Sequence, residues 1–133
     1  MSMDSKDKQD LPCKNRKYRD SFRYASWGVK TAFKEERNLR THVLTGLFVF
    51  GLSLFLGLTR EEWLWLLLVS YLVFAMELIN TVVENVVDLV TEEYHPIAKK
   101  VKDMAAAVVL VTASFAVVIG TIIILPKLLQ ILL

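Results

Sequence analysis

Charge-free stretches organise this chain. Residues 41–59 contain no Asp, Glu, Lys or Arg, residues 63–76 contain none, and a third such run covers 104–125. A helix crossing the hydrocarbon core of a bilayer needs about 20 predominantly apolar residues, within a range of roughly 17–25. The first and third runs, 19 and 22 residues long, meet that requirement alone. The second stops after 14 residues at Glu77. It reaches spanning length only if Glu77, and beyond it Glu84, lie inside the membrane or at its edge. A soluble helical bundle is the alternative, but a soluble helix keeps a polar face, and runs this long without a charge leave none. The pattern therefore predicts an all-α membrane protein with spans at about residues 41–59, 63–88 and 104–125. Trp63 and Trp65, just after Arg60, Glu61 and Glu62, fit an interfacial aromatic anchor.

The segment before the first span has a different period. Residues 1–15 are polar and predict a disordered tail. Without an apolar core in the first 40 residues, no cleavable signal peptide is expected. Over about residues 16–40, Tyr18, Phe22, Ala25, Val29 and Phe33 fall on one stripe at helical spacing, with Arg19, Arg23, Lys30, Lys34 and Arg37 on another side. That arrangement predicts an amphipathic surface helix whose basic side meets anionic lipid, the alternative being a soluble partner-binding helix. Glu36 breaks the pattern. On a continuous helix it lies about 40° from Phe22, on the apolar side, with Arg40 one turn on. It is either one half of a helix-end ion pair or an acid directed into the bundle.

Charge then sets orientation. Residues 1–40 hold eleven of the sixteen Lys and Arg residues. The second loop, about 91–103, adds Lys99, Lys100 and Lys102, whereas the first loop has only Arg60. Positive charge marks cytoplasmic loops, so the N-terminus and second loop are expected in the cytoplasm of a multi-pass protein of the cell membrane. The chain is 54% hydrophobic and 23% charged, figures that fit together only through this segregation. A net charge of +2 excludes nucleic-acid binding driven by bulk charge. One cysteine excludes an internal disulfide framework, and two histidines exclude a His-rich metal site.

The candidate chemistry lies on the second span. With Glu77 at the origin of a helical wheel, Asn80, Thr81, Glu84 and Asp88 all fall within a sector of about 100°. Val82, Val83, Val86 and Val87 fill most of the remainder. Glu77 and Glu84 are about 10 Å apart along the axis, and Glu84 and Asp88 about 6 Å. Ionisable residues in a membrane helix cost several kcal/mol each and mark functional sites. Three acids on one stripe repel unless protonated, paired or bound to a metal. A structural polar seam is the bland reading, although a seam draws more naturally on Ser, Thr and Asn. Hard cations such as Mg²⁺ take one or two carboxylates plus substrate phosphates and water, which this stripe could supply. Glu77, the deepest acid, is a candidate general base toward anything entering from the lipid. Lys102, where the third span enters the membrane, could neutralise a phosphate or one of the acids, or simply snorkel. The five glycines form no GxxxxGK[ST] or GxGxxG loop, so any ATP handling would rest on acids, metal and lysine.

These residues carry a specific resemblance. Glu77, Asn80, Thr81, Glu84 and Asp88, followed by Glu93, Tyr94 and His95 and by Ala98, Lys102, Asp103, Met104 and Ala105, resemble the signature of the prokaryotic integral-membrane diacylglycerol kinase family. The segment 33–40 resembles the family's N-terminal signature. The likeness covers about residues 16–125 and is similar to the Gram-positive branch, whose members act mainly as undecaprenol kinases. It implies a homotrimeric bundle of subunits with a surface helix and three spans each, and composite active sites between subunits. It implies transfer of the γ-phosphate of MgATP to a lipid hydroxyl at the cytoplasmic interface. In that scheme Glu77 is the general base, Asn80 positions the reacting groups, and Glu36 and Glu84 bind Mg²⁺. Asp88, Glu93, Tyr94, His95, Lys102 and Asp103 line the nucleotide site, joined by Tyr24 and Lys17. The acceptor is expected to be undecaprenol, with diacylglycerol as the alternative. From another class, an ion or proton transporter would use the buried acids as a relay; acids gathered at one interface and not across the midplane argue against it.

Overall fold

The computed structural model describes residues 18–133, and among these every regular element is a helix. Helix α1 spans Tyr18–Glu35, α2 Arg37–Phe55, α3 Arg60–Val90 and α4 Pro96–Leu132. Helices α2, α3 and α4 are each long and apolar enough to cross a membrane. The tail expected at residues 1–15 and the candidate Lys17 lie outside the described residues. The chain divides into two compact units, one ending at Thr31 and one comprising Ala32–Leu133.

The described part of the first unit is the body of α1. Its side chains are exposed, and Arg23 organises them locally: the guanidinium lies 5.3 Å from the Tyr24 ring centre and 5.4 Å from that of Trp27. The two rings meet edge to face at 5.6 Å, and Asp20 pairs with Arg23 at 3.3 Å.

The second unit opens with a correction. The helix expected over residues 16–40 stops at Glu35, and Glu36 takes an extended conformation (φ −95°, ψ 114°) as the residue preceding α2. Arg40 explains where the helix end finds its partners. Its Nη1 donates to the carbonyls of Phe33 and Lys34, both at 2.8 Å, filling acceptors that a helix C-terminus leaves open. Arg40 is therefore not the ion-pair partner of Glu36 that i+4 spacing predicts. The wheel position inferred for Glu36 lapses too, because a wheel holds only along an unbroken helix.

Helices α2 and α3 are joined by a tight turn in which Gly57 has φ +60°, a backbone region costly for other residues. Thr59 then caps α3. Its hydroxyl accepts from the Glu62 N–H at 3.3 Å, while the Glu62 carboxylate accepts from the Thr59 N–H at 2.6 Å. This reciprocal capping box satisfies two helix-end donors. Helix α4 opens at Pro96, a residue suited to a first turn that needs no N–H. Its far end differs from the sequence expectation. Pro126 does not close the span but sits inside the helix, which continues to Leu132. Proline removes one helical hydrogen bond, a loss that membrane helices tolerate.

Helix α3 packs chiefly on α4 and to a smaller extent on α2. Two ion pairs set the α3–α4 register from opposite ends: Glu62 with Lys127 at 3.1 Å, and Asp88 with Lys102 at 2.5 Å. The helices therefore run antiparallel. At 1.5 Å per residue, α3 and α4 are about 46 and 55 Å long, against a hydrocarbon core of about 30 Å, so their polar ends extend past it. The buried face of α3 runs through Leu66, Val69 and Val73 and then, at the same three- and four-residue steps, through Glu77 and Asn80. One seam thus changes from apolar to polar along its length. Most of α2 and α4 faces outward with large apolar side chains such as Leu44, Phe48, Val111 and Ile122, the surface expected of helices in lipid.

Candidate active site

The site is assembled where that seam turns polar. Glu77 is only 2% exposed. Its Oε1 lies 3.1 Å from Nε2 of His42, which α2 delivers from its second turn. One turn along α3, Thr81 returns its hydroxyl to the Glu77 carbonyl at 3.0 Å. This local bond satisfies the threonine and leaves the glutamate side chain untouched. Asn80, also buried, donates Nδ2 to Glu84 Oε1 at 2.9 Å. Its Oδ1 is buried without a hydrogen-bond partner among the described residues, an uncommon condition for a buried polar atom.

Glu36 reaches this group from the break between α1 and α2. Its side chain makes no capping hydrogen bond to α2, so the carboxylate is not occupied locally. Burial pushes its carboxyl above the usual range. The negative charges of Glu84 and then Glu35 act in the same direction, and Arg40 opposes them. The charges of Glu36 and Glu84 also bear on Glu77. The structure thus brings together Glu36, Glu77, Asn80 and Glu84, three carboxylates with one imidazole and one amide between them. Such a group needs positive charge from outside.

The donor set fits Mg²⁺. It offers hard oxygens: the carboxylates of Glu36 and Glu84, whose charges act on each other, and the amide oxygen of Asn80, whose Nδ2 is bonded to Glu84. Among the described residues no three Asp, Glu, His or Cys side chains form an all-protein metal cage. A cation here would complete its coordination with phosphate oxygens and water, the usual habit of Mg²⁺.

The remaining candidates divide. Asp88 and Lys102 are brought together as an ion pair that bridges the end of α3 and the start of α4. Lys102 therefore neutralises one of the stripe's acids. Asp103 pairs with Lys99 one turn back on its own helix and not with the adjacent Lys102. Glu93 and Tyr94 lie exposed in the α3–α4 connection, where the Thr91 hydroxyl accepts from the Glu93 N–H at 3.2 Å. His95 precedes α4, its Nδ1 accepting from the Ile97 N–H at 3.2 Å, which leaves Nε2 facing elsewhere. Tyr24 belongs to the other compact unit, edge to face with Trp27.

Sequence reasoning missed His42. The residue sits inside a run valued for having no charge, and a neutral imidazole does not interrupt such a run. The available signal was a titratable side chain near the start of an apolar span, which deserved the scrutiny given to Glu77.

Known proteins resemble this chain along most of its length. Residues 23–124 match the model of the prokaryotic diacylglycerol kinase family. A diacylglycerol kinase of Synechocystis is 45% identical over 84% of this chain. That alignment spans 65% of the cyanobacterial protein, just under two thirds of its length. The undecaprenol kinase of Bacillus subtilis is 36% identical over 95% of this chain and all of its own length. A diacylglycerol kinase of Helicobacter pylori is 37% identical over 80% of this chain and 85% of its own. With the match covering α2, α3 with its stripe of acids, and most of α4, the chain belongs to the prokaryotic diacylglycerol kinase family.

Proposed function

We propose that the protein is an ATP-dependent lipid kinase that transfers the γ-phosphate of MgATP to the hydroxyl of undecaprenol, giving undecaprenyl phosphate at the cytoplasmic face of the cell membrane. The observation that carries this reading is the Glu77 carboxylate, almost wholly buried at the point where an apolar seam meets Asn80, Glu84 and Glu36. A lipid alcohol arriving from the hydrocarbon would meet its base there, while acids and lysine toward the ends of α3 and α4 would receive the nucleotide.

In this mechanism Glu77 removes the proton of the acceptor hydroxyl. The oxygen's electron pair forms the new bond to the γ-phosphorus as the bond to the β,γ-bridging oxygen breaks, releasing ADP. Glu36 and Glu84 hold Mg²⁺, which when bound offsets negative charge on the phosphate oxygens. Asn80 fixes Glu84 through Nδ2 and presents Oδ1 to the reacting groups. Lys102 and Asp88, with Glu93, Tyr94, His95 and Asp103, border the nucleotide side, and Tyr24 and Lys17 contribute from the N-terminal segment. Positioning and electrostatics provide most of the catalysis in phosphoryl transfer, and these residues provide both. The N-terminal helix lies on the membrane surface, with the N-terminus and the α3–α4 loop in the cytoplasm. The subunits form a homotrimer with composite sites, as the family resemblance implies.

Diacylglycerol is the second reading for the acceptor. It is favoured by the higher identity to the Synechocystis enzyme, as undecaprenol is by the full-length match to the Bacillus enzyme. The deciding measurement is transfer of labelled γ-phosphate by the detergent-purified protein, with the two alcohols at equal mole fraction. Faster labelling of undecaprenol is expected. Faster labelling of diacylglycerol would replace the acceptor, and absence of labelling in either would remove the kinase reading.

A further inference from the structure

His42 has no part in the proposed reaction, yet it is the one polar side chain paired with the Glu77 carboxylate among the described residues. An ionised carboxylate only accepts hydrogen bonds. Nε2 approaches Oε1 to 3.1 Å, within donor–acceptor range, and the neutral imidazole has a tautomer that carries a proton on Nε2. The contact joins two helices, α2 and α3, whereas the other polar bonds around Glu77 stay within α3. It leaves Oε2 without a hydrogen-bonding side chain.

The surroundings differ from those of a sealed polar seam. About a third of the His42 side chain, 34%, stays exposed while Glu77 is 2% exposed. The imidazole also lines an apolar cavity of about 700 Å³ bounded by α2, α3 and α4, with Gly46, Val73, Phe74, Ala113 and Ala116 among its walls. A contact serving only helix packing has no need of open volume beside it.

We infer that His42 is a positioning residue for phosphoryl transfer, its Nε2–H holding Oε1 of Glu77 so that Oε2 is aimed at the acceptor hydroxyl. The imidazole itself touches neither nucleotide nor acceptor. The inference rests on Glu77 being the base and adds how that base is oriented. An acid lodged in an apolar seam has few neighbours to fix its terminal torsion, which is broad by nature. One donor from a second helix removes that freedom.

The test compares His42→Ala, His42→Gln and Glu77→Gln as full-length protein purified in detergent, with steady-state kinetics for ATP and thermal unfolding of each. His42→Ala is expected to lower kcat roughly 10- to 100-fold, the range that a hydrogen bond to a charged group converts to. The KM for ATP and the unfolding temperature are expected to stay near those of the parent. His42→Gln keeps an N–H donor and is expected to regain most of the loss. Adding His42→Ala to Glu77→Gln should lower activity no further, because a positioning residue has nothing left to position. A kcat for His42→Ala within about twofold of the parent, equal losses in Ala and Gln variants, or a loss that follows the unfolding temperature would each overturn the role of His42. A Glu77→Gln activity within about tenfold of the parent would instead overturn the base assignment, so the two failures are distinguishable.

Discussion

The two ends of α3 hold similar residues in opposite conditions. At its start, Glu62 is fully engaged: it accepts from the Thr59 N–H, caps its own helix and pairs with Lys127 from the end of α4, which also reaches the Gly57 carbonyl at 3.5 Å. Toward its other end, Glu77, Glu84 and the incoming Glu36 share one imidazole and one amide, and Asn80 Oδ1 has no partner among the described residues. Polar groups that complete one another hold a fold together. Polar groups left wanting a cation and a donor are costly unless a ligand completes them. The first end serves as a clasp and the second as a site.

The contrast can be broken most directly at Glu77. Glu77→Gln keeps the shape and removes the basic oxygen. Transfer should fall by roughly 10²–10⁴-fold, the usual contribution of a general base, while nucleotide binding by equilibrium titration stays intact. The next effect concerns the cation. Glu36→Gln or Glu84→Gln should raise the half-saturating Mg²⁺ concentration by about tenfold or more, since a site with two carboxylates loses half its charge. Acidification should act on the parent in the same direction. Burial and neighbouring acids hold the Glu36 carboxyl above the usual range, so its metal-binding form is lost at a higher pH than that of an ordinary glutamate. Mg²⁺ titrations over a pH series would show the half-saturation point rising as pH falls, and Glu36→Gln should flatten that rise.

Smaller effects belong to the pairs. Lys102→Met leaves Asp88 without its cation and should raise the KM for ATP several-fold, by roughly the worth of a partly exposed charge contact. Asp88→Asn in the same chain should recover part of the change if the two act as a pair. The smallest effect is expected at the clasp. Lys127→Met should lower the unfolding temperature slightly and leave transfer per folded molecule within about twofold, because a partly exposed ion pair contributes little. A large kinetic defect there would erase the distinction between the two ends.

Much of this was visible along the chain. Three helices crossing a membrane follow from charge-free runs, because hydrocarbon excludes charge without regard to neighbours. The clustering of Glu77, Asn80, Glu84 and Asp88 follows from helical spacing, a property of one segment alone. Boundaries were less legible. The end of α1 depends on Arg40 reaching back to the Phe33 and Lys34 carbonyls, and Pro126 is absorbed by a helix that continues past it.

The sequence by itself therefore determined the helical membrane architecture and the stripe of acids on α3. Only the tertiary structure decided who meets whom. It paired Lys102 with Asp88, turned the Arg40 guanidinium to the Phe33 and Lys34 carbonyls in place of an ion pair with Glu36, and brought His42 to Glu77. Periodicity fixes the direction of a side chain around its own axis. Which partner stands opposite depends on the register and rotation of a second helix, and that is settled by packing between segments far apart in the chain.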